Sequence, residues 1–174
     1  MLGLGSLPDL PKRRLAFGRS WCDWVGPGGF SLPKLLMFAP CEKVIIDQNN
    51  NSSMISILHN LQVEVGAAEL PQDAAVPMRW DIFTLWLREA SDEGKKFEQI
   101  CELLTPEGKR ATGATISFEM TKGVQRNVMT LMGFPVVSSG GQYLLRLSLK
   151  EAGEDRERRE VAEFPISLSL GRRR

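Results

Sequence analysis

Two stretches, YLLRLSLK at residues 143–150 and EFPISLSL at residues 163–170, decide the fold class of this chain. In both stretches, apolar and polar side chains alternate with a period of two residues. Successive side chains of a β-strand point to opposite faces, so this period is typical of a strand with one buried face and not of a helix. The apolar series are Tyr143, Leu145, Leu147 and Leu149 in the first stretch and Phe164, Ile166, Leu168 and Leu170 in the second.

The same period extends back along the chain to Cys41. Val44 and Ile46 share one face of a first short strand, which ends at the turn-forming sequence QNNNS at residues 48–52. The sequence WDIFTLWLRE at residues 80–89 is apolar on both faces and predicts a central strand. We predict about eight short strands, and therefore an all-β, antiparallel β-sandwich. The other predicted strands are residues 55–65, with Ile55, Ile57, Leu61, Val63 and Val65 on one face, and residues 97–104, 114–120, 124–132.

Bulk composition narrows the function classes. The 174 residues fit one domain, and 22 basic against 21 acidic residues leave a net charge of +1. This balance favours neither a nucleic acid nor an anionic membrane as partner, and no apolar stretch is long enough to predict a spanning helix. The cysteines are odd in number and widely spaced, which indicates a reducing, cytoplasmic compartment. They are Cys22, Cys41 and Cys101.

The first 37 residues differ from the rest of the chain. They are rich in Gly, Pro and Arg and show no period, so we predict a disordered leader over residues 1–37. A second interpretation is that the natural start is Met37. The sandwich domain is then predicted at 38–170, followed by a basic tail at 171–174 that is too short to indicate nucleic-acid binding.

Catalytic chemistry finds little support in the sequence. His59 is the only histidine, and the predicted strand places it on the apolar face. It either pairs with Cys41 or Cys101 to activate a thiolate, or it is a core histidine satisfied by the backbone, which is the favoured interpretation. Metal-ligand spacings and cofactor motifs are not found, so we predict no catalytic residue, no metal and no cofactor, and a protein that is not an enzyme.

Tyr143 is the only tyrosine, and it lies at the start of a late strand. It is either a tyrosine corner, with its ring in the core and its hydroxyl bonded to nearby backbone, or an ordinary strand tyrosine.

Binding is the better hypothesis, because alternate loops of an antiparallel fold lie at the same end. The loop at 66–79, the turn at 105–112 and the loop at 133–142 should therefore cluster, and the first is long for a hairpin connection. The alternative is that Met78, Trp80 and Phe134 only close the core. The candidate partner-binding residues are Met78, Arg79, Trp80, Phe134 and Pro135.

These observations predict a non-enzymatic protein-interaction module that binds another protein or itself. One alternative is a subunit of a larger structural assembly. Another is a small hydrolase or a carbohydrate-binding domain, whose polar site would be assembled only in the tertiary structure.

Four short motifs carry a resemblance to a known family. They are CEKVIIDQ at 41–48, ISIL at 55–58, PMRW at 77–80 and FTLW at 83–86. Over about residues 38–170 the chain resembles a family of small bacterial single-domain proteins known only as a domain of unknown function. The resemblance implies an immunoglobulin-like β-sandwich and no transferable activity or binding residues.

Overall fold

A computed structural model describes residues 32–65, 71, 74–137, 140–153 and 157–172, without the side chain of residue 172. The only helical element in these ranges is one 3₁₀ turn, Ala90–Asp92. Among the described residues, no helix is long and apolar enough to cross a membrane. The strands are β1 (Lys34–Ile46), β2 (Ser52–Ile57), β3 (Asn60–Val65), β4 (Ala75–Leu87), β5 (Lys96–Leu104), β6 (Arg110–Glu119), β7 (Val124–Pro135), β8 (Gly141–Glu151) and β9 (Arg159–Arg172).

The strands form two sheets, and the prediction of an all-β sandwich is confirmed. The four-stranded sheet has the order β2-β1-β4-β7, and the five-stranded sheet has the order β3-β9-β8-β5-β6. Every neighbouring pair is antiparallel except β3 and β9, which run parallel. The prediction counted about eight strands because it joined β2 and β3 into one.

The hydrophobic core lies between the two sheets. Alternate residues of β4, namely Trp80, Ile82 and Trp86, are completely buried and pack against buried residues of β5 and β8. The predicted central strand is confirmed, since β4 lies between β1 and β7. The partners that pack against it from the five-stranded sheet are Phe97, Cys101, Leu103, Tyr143, Leu145, Leu147 and Leu149.

One buried amide joins the two sheets through this core. Oε1 of Gln99, on β5, accepts hydrogen bonds from Thr84 Oγ1 at 2.8 Å, Trp86 Nε1 at 3.0 Å and Asn127 Nδ2 at 3.1 Å. Thr84 and Trp86 lie on β4 and Asn127 on β7, and all four residues are buried. Because buried polar groups destabilise a fold unless they are paired, this set favours the observed alignment of the sheets over other apolar packings.

The predicted strand at 55–65 is wrong, because the chain changes sheets within it. β2 ends at Ile57 and β3 begins at Asn60 in the other sheet. Leu58 enters the core and its N–H donates to Pro40 O at 2.9 Å. His59 is exposed, with Nδ1 3.1 Å from Ile57 O, so the prediction of a core histidine is also wrong. Both strands have a period of two, and the pattern therefore does not mark the crossing.

The domain boundaries also need correction. Residues 1–31 of the predicted leader lie outside the described residues, but Lys34 to Met37 belong to β1, where Lys34 pairs with Leu87. A bulge between Leu35 and Met37 interrupts the alternation, which is why the sequence pattern did not show this part of the strand. β9 continues to Arg172, into the predicted tail.

Candidate functional site

The described parts of the three predicted loops lie close together at one end of the sandwich. Val136 N donates to Ala74 O at 2.8 Å, which joins the first loop to the third. The second loop approaches the third so closely that a Cβ on Gly141 would lie 3.0 Å from Pro106 Cγ. Gly141 also has a φ of +113°, which an L side chain rarely adopts. Residues 66–70, 72–73 and 138–139 of these loops lie outside the described residues.

Tyr143 organises this end of the sandwich. Its ring is completely buried against Phe134, with centroids 5.3 Å apart, and its hydroxyl accepts a hydrogen bond from Val137 N at 2.8 Å. Desolvation of the hydroxyl raises the pKa of Tyr143. The tyrosine-corner interpretation is therefore confirmed in its two structural features, a core ring and a hydroxyl bonded to backbone a few residues upstream.

The five candidate binding residues do not form one exposed surface. Trp80 and Phe134 are 0% exposed, their rings are 5.8 Å apart, and Trp80 Nε1 donates to Gly133 O at 3.0 Å. Met78 and Pro135 are half-buried, and Arg79 is exposed. The alternative interpretation, in which the aromatic rings close the core, describes the position of Trp80 and Phe134.

Sequence reasoning missed the exposed residue beside this cluster. Met132 on β7 lies directly opposite Arg79 in the β4–β7 ladder and is 77% exposed. The mixed pattern of residues 124–132 did not show which of its side chains face solvent. The β4–β7 register is what identifies Met132 as outward-facing, because it pairs each outward residue of one strand with an outward residue of the other.

Exposed apolar side chains are concentrated on the four-stranded sheet. Nine large apolar residues of the described chain are between 37% and 77% exposed, and every one of them lies on β1, β2, β4 or β7. They are Leu36, Met37, Ile45, Ile46, Ile55, Ile57, Leu87, Val124 and Met132.

We call the side of β4 and β7 that points away from the core the outer face. The ladder defines it by five pairs, and its centre is well packed, since Phe83 is only 2% exposed. Asp81 is also buried there and accepts hydrogen bonds from Thr130 Oγ1 at 2.7 Å and Val44 N at 2.9 Å. The pairs are Arg79 with Met132, Asp81 with Thr130, Phe83 with Val128, Leu85 with Arg126 and Leu87 with Val124.

The turn between β1 and β2, Asp47 to Asn51, reaches the outer face; we call it the tip. Asp47 shapes it, because its carboxylate accepts hydrogen bonds from the backbone N–H of Asn49 and Asn51 and from Asn51 Nδ2. These bonds lower the pKa of Asp47. Asn50 has a φ of +65°, a conformation that asparagine tolerates better than most residues.

Arg126 joins the tip to β7. Its Nη1 donates to Asn50 O at 2.9 Å and to Ser52 Oγ at 3.0 Å, and its Nη2 donates to Asn50 Oδ1 at 2.8 Å. A cleft of about 500 Å³ lies between the tip and the outer face. Its lining residues are Met37, Asn50, Asn51, Ser52, Met54, Phe83, Leu85, Lys122, Val124, Gln125 and Arg126.

The opposite side of the sandwich carries charge instead. On the five-stranded sheet Arg146 lies 3.0 Å from Glu160 and 2.9 Å from Glu163, measured between side-chain N and O. Glu102 pairs with Arg110 at 3.3 Å and also with Arg158. The hydrogen bond and charge of Arg158 lower the pKa of Glu102. Two residues of the charged run at 154–160, Arg158 and Glu160, are therefore engaged in ion pairs.

The two described cysteines are poor candidates for nucleophiles. Cys41 and Cys101 are both free and completely buried. Desolvation raises the pKa of Cys41 to about 11, with a contribution from Asp81, and that of Cys101 to about 12. Both thiols are therefore protonated at neutral pH, whereas the nucleophile and metal ligand is the thiolate. The described residues contain no group of three or more His, Cys, Asp or Glu side chains that could hold a metal ion.

Fold and surface together define a two-sheet β-sandwich protein. Among its described residues, the exposed large apolar side chains all lie on the four-stranded sheet, and the five-stranded sheet carries ion pairs. No family model matches the sequence, and no curated protein matches it either. Among solved structures, the chain is similar to the C-terminal domain of wzt, with a TM-score of 0.46 and 10% sequence identity. The similarity covers 79% of this chain and 73% of that one.

Proposed function

We propose that this protein is a non-enzymatic, cytoplasmic interaction module that binds another protein through the four-stranded sheet. The observation that carries the proposal is the concentration of all nine exposed large apolar side chains of the described chain on that sheet. Single exposed apolar residues are common and need no explanation, but their concentration on one sheet of a domain favours a protein-binding surface there.

The position of Met132 supports this surface as the contact. It is the most exposed large apolar residue described, and β7 is an edge strand of its sheet. Methionine adapts its shape to a partner, and arginine, here Arg79 in the opposite position, is enriched where binding energy is concentrated. The expected partner therefore presents an apolar patch with a hydrogen-bond acceptor beside it.

Location in the cytoplasm is part of the same proposal. Cys41 and Cys101 are both free thiols, in agreement with a reducing compartment. The alternative function, a subunit of a larger assembly, uses the same surface with further copies of this chain as partners. It is distinguished by the dependence of molar mass on protein concentration.

The experiment compares two charge-matched double variants of the full chain as baits in a quantitative capture from the producing cells. The surface variant is Leu87→Glu with Met132→Glu, on the four-stranded sheet. The control variant is Thr115→Glu with Ser117→Glu, on exposed positions of β6 in the five-stranded sheet. Each captured protein is then purified and its affinity for the three baits is measured by calorimetry, with melting curves to check that all three are folded.

We expect a partner that binds the unmodified chain and the control variant with similar affinity and the surface variant at least about tenfold more weakly. A partner that binds all three chains equally would contradict the choice of surface. Light scattering of the unmodified chain gives the second readout: a mass that rises with concentration, and not in the surface variant, would favour the assembly alternative.

A further inference from the structure

The cleft between the tip and the outer face has the composition of a small-molecule site. Its apolar lining comes from four strands, β1, β2, β4 and β7. Its polar lining comes from the tip, the first residue of β2, the turn before β7 and the start of β7. Small-molecule sites combine apolar walls with a few polar groups that converge on the ligand. The apolar residues are Met37, Met54, Phe83, Leu85 and Val124, and the polar ones are Asn50, Asn51, Ser52, Lys122, Gln125 and Arg126.

The charge of the cleft selects an anionic ligand. Of the lining residues that the structure describes, two are charged, Lys122 and Arg126, and both are cations. In the part of the chain that the structure describes, no carboxylate forms an ion pair with either of them. The acid of the neighbouring tip, Asp47, is already occupied by the N–H groups of its own turn.

Arg126 has the donors that a carboxylate requires. A guanidinium carries five N–H donors, and Arg126 uses three of them, two on Nη1 and one on Nη2, for Asn50 and Ser52. Among the described residues, Nε has no acceptor, and Nη2, with two N–H groups, has one. These two groups form the parallel edge of arginine that binds a carboxylate through two hydrogen bonds. The contacts with the tip hold the guanidinium in place, which lowers the entropic cost of binding.

We propose that this cleft binds a small organic carboxylate with an aliphatic chain. The carboxylate bonds to the Nε–Nη2 edge of Arg126, Lys122 adds a second positive charge, and the chain contacts Met37, Leu85 and Val124. The cleft shares the exposed residues Met37 and Val124 with the proposed protein-binding sheet, whereas Met132 lies outside the lining, at the far end of the β4–β7 ladder from Val124.

The test titrates the full chain with octanoate and, in parallel, with octanamide, which has the same chain length and no charge. Binding is followed by NMR through the methyl resonances of Met37 and Met54, both in the cleft lining. We expect octanoate to shift both resonances and to bind at least about tenfold more tightly than octanamide, since hydrogen bonds to charged groups are about twice as strong as neutral ones.

Three variants locate the binding. Arg126→Lys keeps the charge but removes the fork, and we expect octanoate to bind about tenfold more weakly. Arg110→Lys, on the other side of the sandwich, should leave binding unchanged. Lys122→Gln, at an exposed position, should weaken octanoate binding severalfold without disturbing the tip. If Arg126→Lys has a lowered melting temperature, the test of the site is Lys122→Gln.

Equal affinity for octanoate and octanamide, or no shift of the two methionine resonances, would overturn the carboxylate site. An equal loss in Arg110→Lys and Arg126→Lys would also overturn it. Normal octanoate binding is expected in the single variant Met132→Glu, because Met132 lies at the far end of the β4–β7 ladder from Val124, so that failure of the partner capture and failure of this site remain separate results.

Discussion

The two outer sides of this sandwich differ in the side chains that they expose to water. The five-stranded sheet covers its outward positions with charges that neutralise each other, as Arg146 does between Glu160 and Glu163. The four-stranded sheet has a second, smaller packed layer around Phe83, partly enclosed by the tip, and leaves large apolar side chains exposed around it. On the five-stranded sheet, the outward charges are paired with one another. The four-stranded sheet instead leaves apolar surface exposed that a partner or ligand would bury.

The largest expected effect concerns the packed layer on the outer face. Phe83→Ala should lower the free energy of unfolding by about 3–5 kcal/mol, as for a core phenylalanine, because the ring is 2% exposed although it points away from the main core. Phe83→Leu, the conservative control, should cost about 1 kcal/mol. Urea unfolding measures both; a loss below 1 kcal/mol in the alanine variant would show that this face has no core of its own.

A smaller loss is expected at the carboxylate that fastens β1 to this face. Asp81→Ala removes the acceptor for Val44 N and Thr130 Oγ1 and should cost about 2–3 kcal/mol, since a buried donor left unpaired costs about 1–3 kcal/mol. Asp81→Asn keeps one acceptor and should lie between. Hydrogen exchange at Val44 gives a local readout: an unchanged rate in Asp81→Ala would contradict the role assigned to this bond.

On the five-stranded sheet, we expect the ionisation of a carboxylate to make the free energy of unfolding depend on pH. The folded-state pKa of Glu102 is lowered by Arg158 and Arg110, so its contribution to stability is complete above its ordinary pKa of 4.5 and is lost as the pH falls through the lower folded value. In the Glu102→Gln variant, the free energy of unfolding should therefore fall less steeply as the pH is lowered. At pH 7 the substitution should cost only about 1 kcal/mol. Urea midpoints between pH 2.5 and 7 measure this. An acid limb identical in both proteins would assign the pH dependence to other groups.

The smallest effect on stability is expected at Met132, the residue proposed to contact the partner. Met132→Ser should change the free energy of unfolding by less than about 0.5 kcal/mol, because the side chain is 77% exposed. The same substitution should weaken partner binding. A destabilisation above 1 kcal/mol would mean that Met132 packs against the protein itself, and the contrast between the two sides would then be smaller than described.

The alternation of apolar and polar residues predicted most strands and the sandwich class, because burial on one face imposes a period of two on each strand. It also identified Tyr143, whose place at a strand start is a local feature. The candidate binding residues fared differently: Trp80 and Phe134 were singled out for their chemistry, yet chemistry alone does not distinguish a partner-binding ring from one that closes the core.

What the sequence by itself determined is therefore the class of fold and the central strand, whereas for Tyr143 it left two interpretations and the structure decided for the tyrosine corner. Only the tertiary structure decided that the chain crosses sheets at Leu58, that Lys34 begins a strand, and that Asn50 meets Arg126, 76 residues away along the chain. The physical reason is that the period of a strand records whether each face is buried but not which neighbour buries it. Pairing partners, and the surfaces left without one, are set by contacts between residues distant in sequence.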